Sequence, residues 1–308
     1  MSSNFLKIQK SKKLIQMKKF IFISIMSLAI LSLSAQEIPF RLEQLTAPDF
    51  IKAVEKSKGT CIIPIGVFEK HGAHLPLGTD LYLAREYSLR AAEKEYTVVF
   101  PWYYFSQINE AKHQPGTISY SPDLIWKVLQ ETLDELNRNG FTKIIIVNGH
   151  GGNNAFLNYF GMAQLSEPRD YTLYWFRPED DREINSKVDE LTQHDQYDAH
   201  AGNSETSAML AAQPDVVHQE RAGEQSGIDL GRLKHIPFDY TGIWWYASYP
   251  NHYGGDGSKS KAEAGELMIN LTVEQLVEMI KAVKKDTKVQ ELQNQFFKES
   301  ANPLKTKQ

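Results

Sequence analysis

Residues 143–154 read KIIIVNGHGGNN. Ile144-Ile145-Ile146-Val147 is a short β-branched run, and with no spacer it meets Asn148-Gly149-His150-Gly151-Gly152-Asn153-Asn154, a polar, glycine-rich turn. Such a run reads as a strand buried on both faces, and the turn feeds a helix from Ala155. The same order stands earlier in the chain. Cys61-Ile62-Ile63-Pro64-Ile65-Gly66-Val67 is an apolar run, Phe68 to Asp80 is polar, and Leu81, Ala84, Tyr87, Leu89 and Ala92 approximate one helical face, with Thr79-Asp80 as the opening cap. Further strands are expected at Tyr96–Phe100 and Tyr171–Phe176. A helix begins at Ser121-Pro122-Asp123 and closes at Asn139-Gly140, a loop enters a helix between His200 and Ala212, and a long helix covers Lys261–Lys284. Strands alternating with helices predict an α/β fold of three layers, α/β/α, around a mostly parallel central sheet. In such sheets ligands collect at the carboxyl ends of the strands.

The amino terminus has a different composition. Met17-Lys18-Lys19 precedes an apolar stretch from Phe20 to Leu33 that leaves through Ser34-Ala35-Gln36. A basic start, an apolar centre and a small-residue exit make residues 1–35 an expected signal peptide, with Met17 the better initiator. The stretch is shorter than the roughly 20 apolar residues of a spanning helix, so no stable membrane anchor is expected after cleavage. Leu33 is imperfect at the −3 position, which places the cut within a residue or two of Ala35. Residues 36–308 are then expected to form a single domain, periplasmic or secreted. Removing residues 1–35 takes six lysines and no acid, leaving 28 of the 34 basic residues against 38 acidic ones, a net of about −10. That balance excludes nucleic acid and anionic membranes as natural partners. Cys61, the single cysteine, rules out an internal disulfide.

The two polar turns carry Glu69, His71, Asp80 and His150. Any one of them alone reads as a solvated loop carboxylate or a capping histidine. Together at one sheet edge they offer the nitrogen and oxygen donors that hold Zn²⁺, Mn²⁺ or Fe²⁺, without a thiolate. Asp80 suits a bridge between two ions, because a carboxylate can give one oxygen to each and a helix start favours an anion. A third polar helix entry, Asp198 to Ser207, contains His200 and Glu205. His200 is a candidate acid or base with Asp198 fixing its tautomer, and Glu205 in a first helical turn has a capping reading beside the metal one. His113 is a candidate pocket residue. The aromatic stretch 241–257 reads as either a lid over the pocket or a subunit interface.

Glu69-Lys70-His71-Gly72-Ala73-His74-Leu75-Pro76-Leu77-Gly78-Thr79-Asp80, Pro115-Gly116-Thr117, Asn148-Gly149-His150-Gly151-Gly152-Asn153, and His200-Ala201-Gly202 with Glu205-Thr206-Ser207 together resemble the creatininase (creatinine amidohydrolase) family. The resemblance runs in order from about residue 45 to 270. It implies a homo-oligomer, commonly a hexamer, with two divalent metal ions per chain, Zn²⁺ first, that hydrolyses C–N bonds of small amides or cyclic amides. Carried over, Glu69 and His150 hold one ion, His71 the other, Asp80 bridges them and His200 is the catalytic histidine. Two departures stand out. Creatininase itself has a metal-binding glutamate two residues after the histidine matching His150, where this chain has Gly152; Glu205 is the expected substitute. A pocket tryptophan beside the catalytic histidine is also absent, since Ala199 precedes His200. Both count against creatinine itself and leave a small amide, lactam or cyclic ureide as the expected substrate. A dinuclear phosphoesterase would want a cationic phosphate clamp beside these ligands, and none is evident. A periplasmic metal- or solute-binding protein would have no use for His200.

Overall fold

Every residue of β1 (Thr60–Ile65) is buried, as a strand covered on both faces must be. The computed structural model describes residues 37–193, 197–237 and 240–307, and the expected signal peptide lies outside them. In chain order the helix α1 (Ala47–Lys56) precedes β1, and α2 (Thr79–Lys94), β2 (Val98–Val99) and α3 (Pro122–Arg138) follow it. Next come β3 (Lys143–Asn148), α4 (Asn154–Ala163), β4 (Thr172–Phe176), α5 (Arg182–Thr192) and α6 (Asn203–Ala212). The described chain ends with α7 (Trp244–Ser248), α8 (Ala262–Lys285) and α9 (Lys288–Ser300). The four strands form one parallel sheet in the order β2-β1-β3-β4. In its register Ile62 pairs with Ile145 and Ile65 with Asn148, so β1 and β3 end side by side.

Alternation along the strands sorts the side chains between two faces. Ile62, Ile145, Val147 and Phe176 join one apolar cluster with Leu83, Ala84 and Ala91 of α2, Met209 of α6, and Ile269, Val273, Leu276 and Ile280 of α8. Ile63, Ile144 and Ile146, also buried, take the opposite face. There α3 buries Ile125, Leu129, Leu133 and Leu136, and its Trp126 packs edge-on against Phe160 of α4. This is the expected three-layer arrangement.

Local expectations needed adjustment where tertiary contacts decide. The expected strand Tyr96–Phe100 contracts to Val98–Val99, paired with β1 and bridged at Val99 to Arg41. Thr79 and Asp80 are the first two helical residues of α2, with Gly78 as the cap. The aromatic stretch contains a short helix, α7, and α5 and α9 are further helices of mostly polar sequence. Among the described residues no helix is long and apolar enough to cross a membrane.

The start of α2 is wedged between the ends of β1 and β3. A Cβ at Gly149 would lie 2.2 Å from the Asp80 carbonyl oxygen, and one at Gly66 would lie 2.6 Å from the Leu81 nitrogen. Both contacts are with backbone, which cannot swing aside. Gly149→Ala is therefore expected to cost at least the ~1–3 kcal/mol of an over-packed core and to displace Asp80 from His150. A chemical denaturation midpoint equal to that of the parent protein would show that the wedge is looser than described.

Candidate metal centre

The carboxyl ends of β1 and β3 deliver Glu69, His71 and His150, α2 delivers Asp80 in its first turn, and the entry to α6 delivers His200 and Glu205. All six sequence-derived candidates converge. Glu69, His71, Asp80, His150 and His200 are each no more than 8% exposed, and Glu205 is partly buried. Asp80 lies at the middle, with Oδ1 3.0 Å from His71 Nε2 and Oδ2 3.1 Å from His150 Nδ1. Glu69 Oε1 approaches the same His150 nitrogen at 2.7 Å. Glu205 Oε2 stands 3.8 Å from both His71 Nε2 and His200 Nδ1. Donor atoms thus gather in three overlapping groups, Glu69–Asp80–His150, His71–His200–Glu205 and Glu69–His200–His252, and the second abuts Asp80 Oδ1.

Backbone contacts set which nitrogen of each ring faces inward. His71 Nδ1 is 3.3 Å from the Glu69 carbonyl oxygen, which leaves Nε2 toward Asp80. His200 Nε2 donates to the Lys70 carbonyl at 2.9 Å, which leaves the Nδ1 lone pair toward Glu205. Asp198 does not perform the tautomer-fixing role expected of it. Its Oδ2 accepts from the backbone and hydroxyl of Ser204 and so caps α6 instead. Glu205 meets its capping reading, because Oε2 accepts the Ala201 N–H at 2.5 Å.

The sequence reading missed His252. It holds a left-handed φ of 56°, and its Nε2 meets Glu69 Oε2 while Nδ1 accepts from the Trp245 indole at 2.8 Å. A neutral ring accepting at Nδ1 carries its proton on Nε2, so His252 donates to Glu69 and leaves Oε1 free to face inward. Paired backbone bonds between His200 and Gly254 tie this loop to the α6 entry. Trp245 also stands edge-on to His200 at 5.8 Å, so part of the 241–257 stretch walls the cluster. His113 lies at the rim, exposed, with Nε2 2.8 Å from the Pro250 carbonyl oxygen.

The electrostatics of the cluster call for positive charge. Burial alone would depress His71, but the carboxylates of Asp80 and Glu205 outweigh it and push it up to about 10. Burial pushes Glu205 up to about 7, with the charge of Asp80 adding to the effect. His200 is held well below the usual histidine range by burial, with the charge of His71 adding, so its Nδ1 is a lone pair rather than an N–H. Glu69 Oε1 and Asp80 Oδ2 are buried without a hydrogen bond of acceptable geometry. Buried carboxylate oxygens without donors are costly, and divalent cations are the groups that satisfy several at once. The donor set, imidazole and carboxylate without thiolate, fits Zn²⁺, Mn²⁺ or Fe²⁺.

A parallel α/β sheet with this sealed cluster at its carboxyl edge defines a metal-dependent hydrolase. A sequence model of the Creatininase family, described as creatinine amidohydrolase, matches residues 43–280, and the chain belongs to that family. The chain is 25% identical to creatinine amidohydrolase of Pseudomonas putida over 77% of its own length and 95% of that protein's. It is 26% identical to 3-dehydro-scyllo-inosose hydrolase of Thermotoga maritima over 72% of its length and 76% of that protein's. A solved creatininase variant described as Zn-Zn type superposes with a TM-score of 0.68 at 22% identity, covering 80% of this chain and 99% of that one. A manganese form superposes equally well, with a TM-score of 0.68 at 21% identity over the same shares of the two chains.

Proposed function

We propose that the protein is an exported amidohydrolase that uses two divalent ions per chain to cleave a C–N bond of a small amide, lactam or cyclic ureide. The observation that carries this reading is Asp80, whose two oxygens face two different histidines. Glu69, Asp80 and His150 would hold one ion, and His71, Asp80 and Glu205 the other. Zn²⁺ is the preferred occupant, with Mn²⁺ or Fe²⁺ admitted by the same donors. When bound, such a pair supplies Lewis acidity toward the scissile carbonyl and lowers the pKa of water at the site. The chain's own residues do the rest. His200 Nδ1 receives a proton from the attacking water and returns it to the leaving nitrogen, while the Lys70 carbonyl holds the ring in place. Trp245 and its neighbours exclude bulk water from one side.

Support for a substrate other than creatinine comes from Gly152, which leaves a family ligand position empty, and from relatives named for different substrates. Homo-oligomerisation, as a hexamer, is part of the same reading. The test is hydrolysis of a panel of cyclic ureides, lactams and formamides by metal-reconstituted protein. One good substrate fixes the reaction class; activity confined to phosphate esters would overturn it.

Export is proposed from the pattern between Met17 and Ala35. Protein recovered outside the cytoplasm should begin near Gln36 on amino-terminal sequencing. Recovery from the cytoplasm with Lys18 and Lys19 intact would count against export.

A further inference from the structure

We propose that Glu110 is a positioning residue for His150, and that Gly152 is the residue that admits it. The proposal rests on the two-ion reading and extends it to a residue outside every motif of the sequence. His150 turns Nδ1 toward Glu69 and Asp80, so an ion held by that group takes the Nδ1 lone pair. A neutral imidazole used in that way carries its remaining proton on Nε2. Nε2 is buried and makes no hydrogen bond, and Glu110 Oε1 stands 3.7 Å from it. That separation is longer than a hydrogen bond but is closed by a rotation of the glutamate tip. Metal-bound histidines commonly donate their second N–H to a carboxylate or carbonyl, which fixes the ring and raises its basicity.

Glu110 is held in place. Gln107 Nε2 donates to both of its carboxylate oxygens, at 3.1 and 2.9 Å. Gln107 in turn gives its backbone N–H to Asn153 Oδ1 at 3.1 Å and is 3.3 Å from the Gly152 carbonyl oxygen. The loop carrying Glu110 is therefore fastened to the same turn that carries His150. The two nitrogens of an imidazole point in opposite directions, so Glu110 on the Nε2 side does not share the ion facing Nδ1.

Gly152 completes the arrangement. A Cβ there would lie 2.4 Å from Glu110 Oε1 and 2.4 Å from His150 Nε2. Any side chain at position 152 takes the space the Glu110 carboxylate needs. A glutamate at 152, as in creatininase itself, and a carboxylate from position 110 are thus alternatives for one volume. In this chain Gly152 leaves that volume to a carboxylate brought from the neighbouring loop.

The test is chelator competition with Zn²⁺ on the full mature chain for the parent protein, Glu110→Ala, Glu110→Gln and Gly152→Ala. Glu110→Ala should weaken one of the two sites by ~10–100-fold and leave the other unchanged. Gly152→Ala should weaken the same site although Glu110 is still present, because its methyl group meets both the carboxylate and the His150 ring, so the two Glu110 variants carry the assignment. Glu110→Gln keeps the shape and an acceptor oxygen, so it should fold like the parent and fall between. In the Co²⁺-loaded protein, the paramagnetically shifted, exchangeable N–H proton of His150 should exchange slowly in the parent and be lost from the spectrum in Glu110→Ala and Gly152→Ala. A purely structural role would not move that signal. Unchanged zinc affinity in Glu110→Ala, or a persistent slow N–H signal, overturns the assignment of Glu110 alone. A parent protein that binds no zinc takes the two-ion reading down with it.

Discussion

Asp80→Asn is expected to leave the fold intact, to strip the protein of both ions and to slow hydrolysis by on the order of 10³-fold or more. The side chain keeps its size but loses its charge and one of its two oxygen donors, and those oxygens face His71 Nε2 and His150 Nδ1 separately. Loss of a partner outside the ligand set typically costs ~10–100-fold in metal affinity. A ligand shared by two ions is counted at both sites, so its loss should exceed that range. Asp80→Ala should show the same loss with an added stability cost, because it also takes one carboxylate from each of two buried histidines. Metal analysis after dialysis is the measurement. Two ions retained per chain in Asp80→Asn would remove the bridge from the proposal, and one ion retained would show that Asp80 serves a single site.

His200→Ala is expected to slow turnover by ~10²–10⁴-fold while both ions remain. The ring is buried and kept neutral, its Nε2 is committed to the Lys70 carbonyl, and its Nδ1 faces the centre, which is the state a proton acceptor needs. Glu205→Gln should behave in the opposite way, weakening one ion selectively. Its Oε2 is the carboxylate oxygen on the His71–His200 side of the cluster. The contrast separates the two roles even though the residues are 3.8 Å apart. If His200→Ala loses an ion along with the rate, His200 is a ligand rather than the acid–base group; if Glu205→Gln binds two ions as tightly as the parent, the remaining ligand lies elsewhere.

Much of this site was legible because the motifs sit where a parallel sheet must place them. Apolar runs ending in polar turns at 61–80 and 143–154 fix two strands and the direction of the chain beyond them, so Glu69, His71 and His150 could be assigned to one edge without coordinates. Asp80 was legible for a similar reason, as a carboxylate at a helix start. His252 gave a weaker signal. It lies in a stretch dense in aromatics and glycines, with no strand before it, and contacts between distant segments, such as the backbone pairing of His200 with Gly254, bring it to Glu69. Glu110 gave none, being a lone acid in a short 3₁₀ turn (Asn109–Ala111).

What the sequence determined by itself was the alternation of the central strands with their helices, the parallel α/β class and six of the side chains that meet at its carboxyl edge, since these follow from local periodicity and from the rule that parallel strands end together. The tertiary structure decided which atom of each side chain faces inward. Asp198 stood two residues from His200 and looked like its partner, yet the Lys70 carbonyl, distant in sequence, takes the ring nitrogen. Ring orientation depends on hydrogen bonds between segments that only the packed chain brings within about 3 Å, and no sequence spacing encodes which of several neighbours will be there.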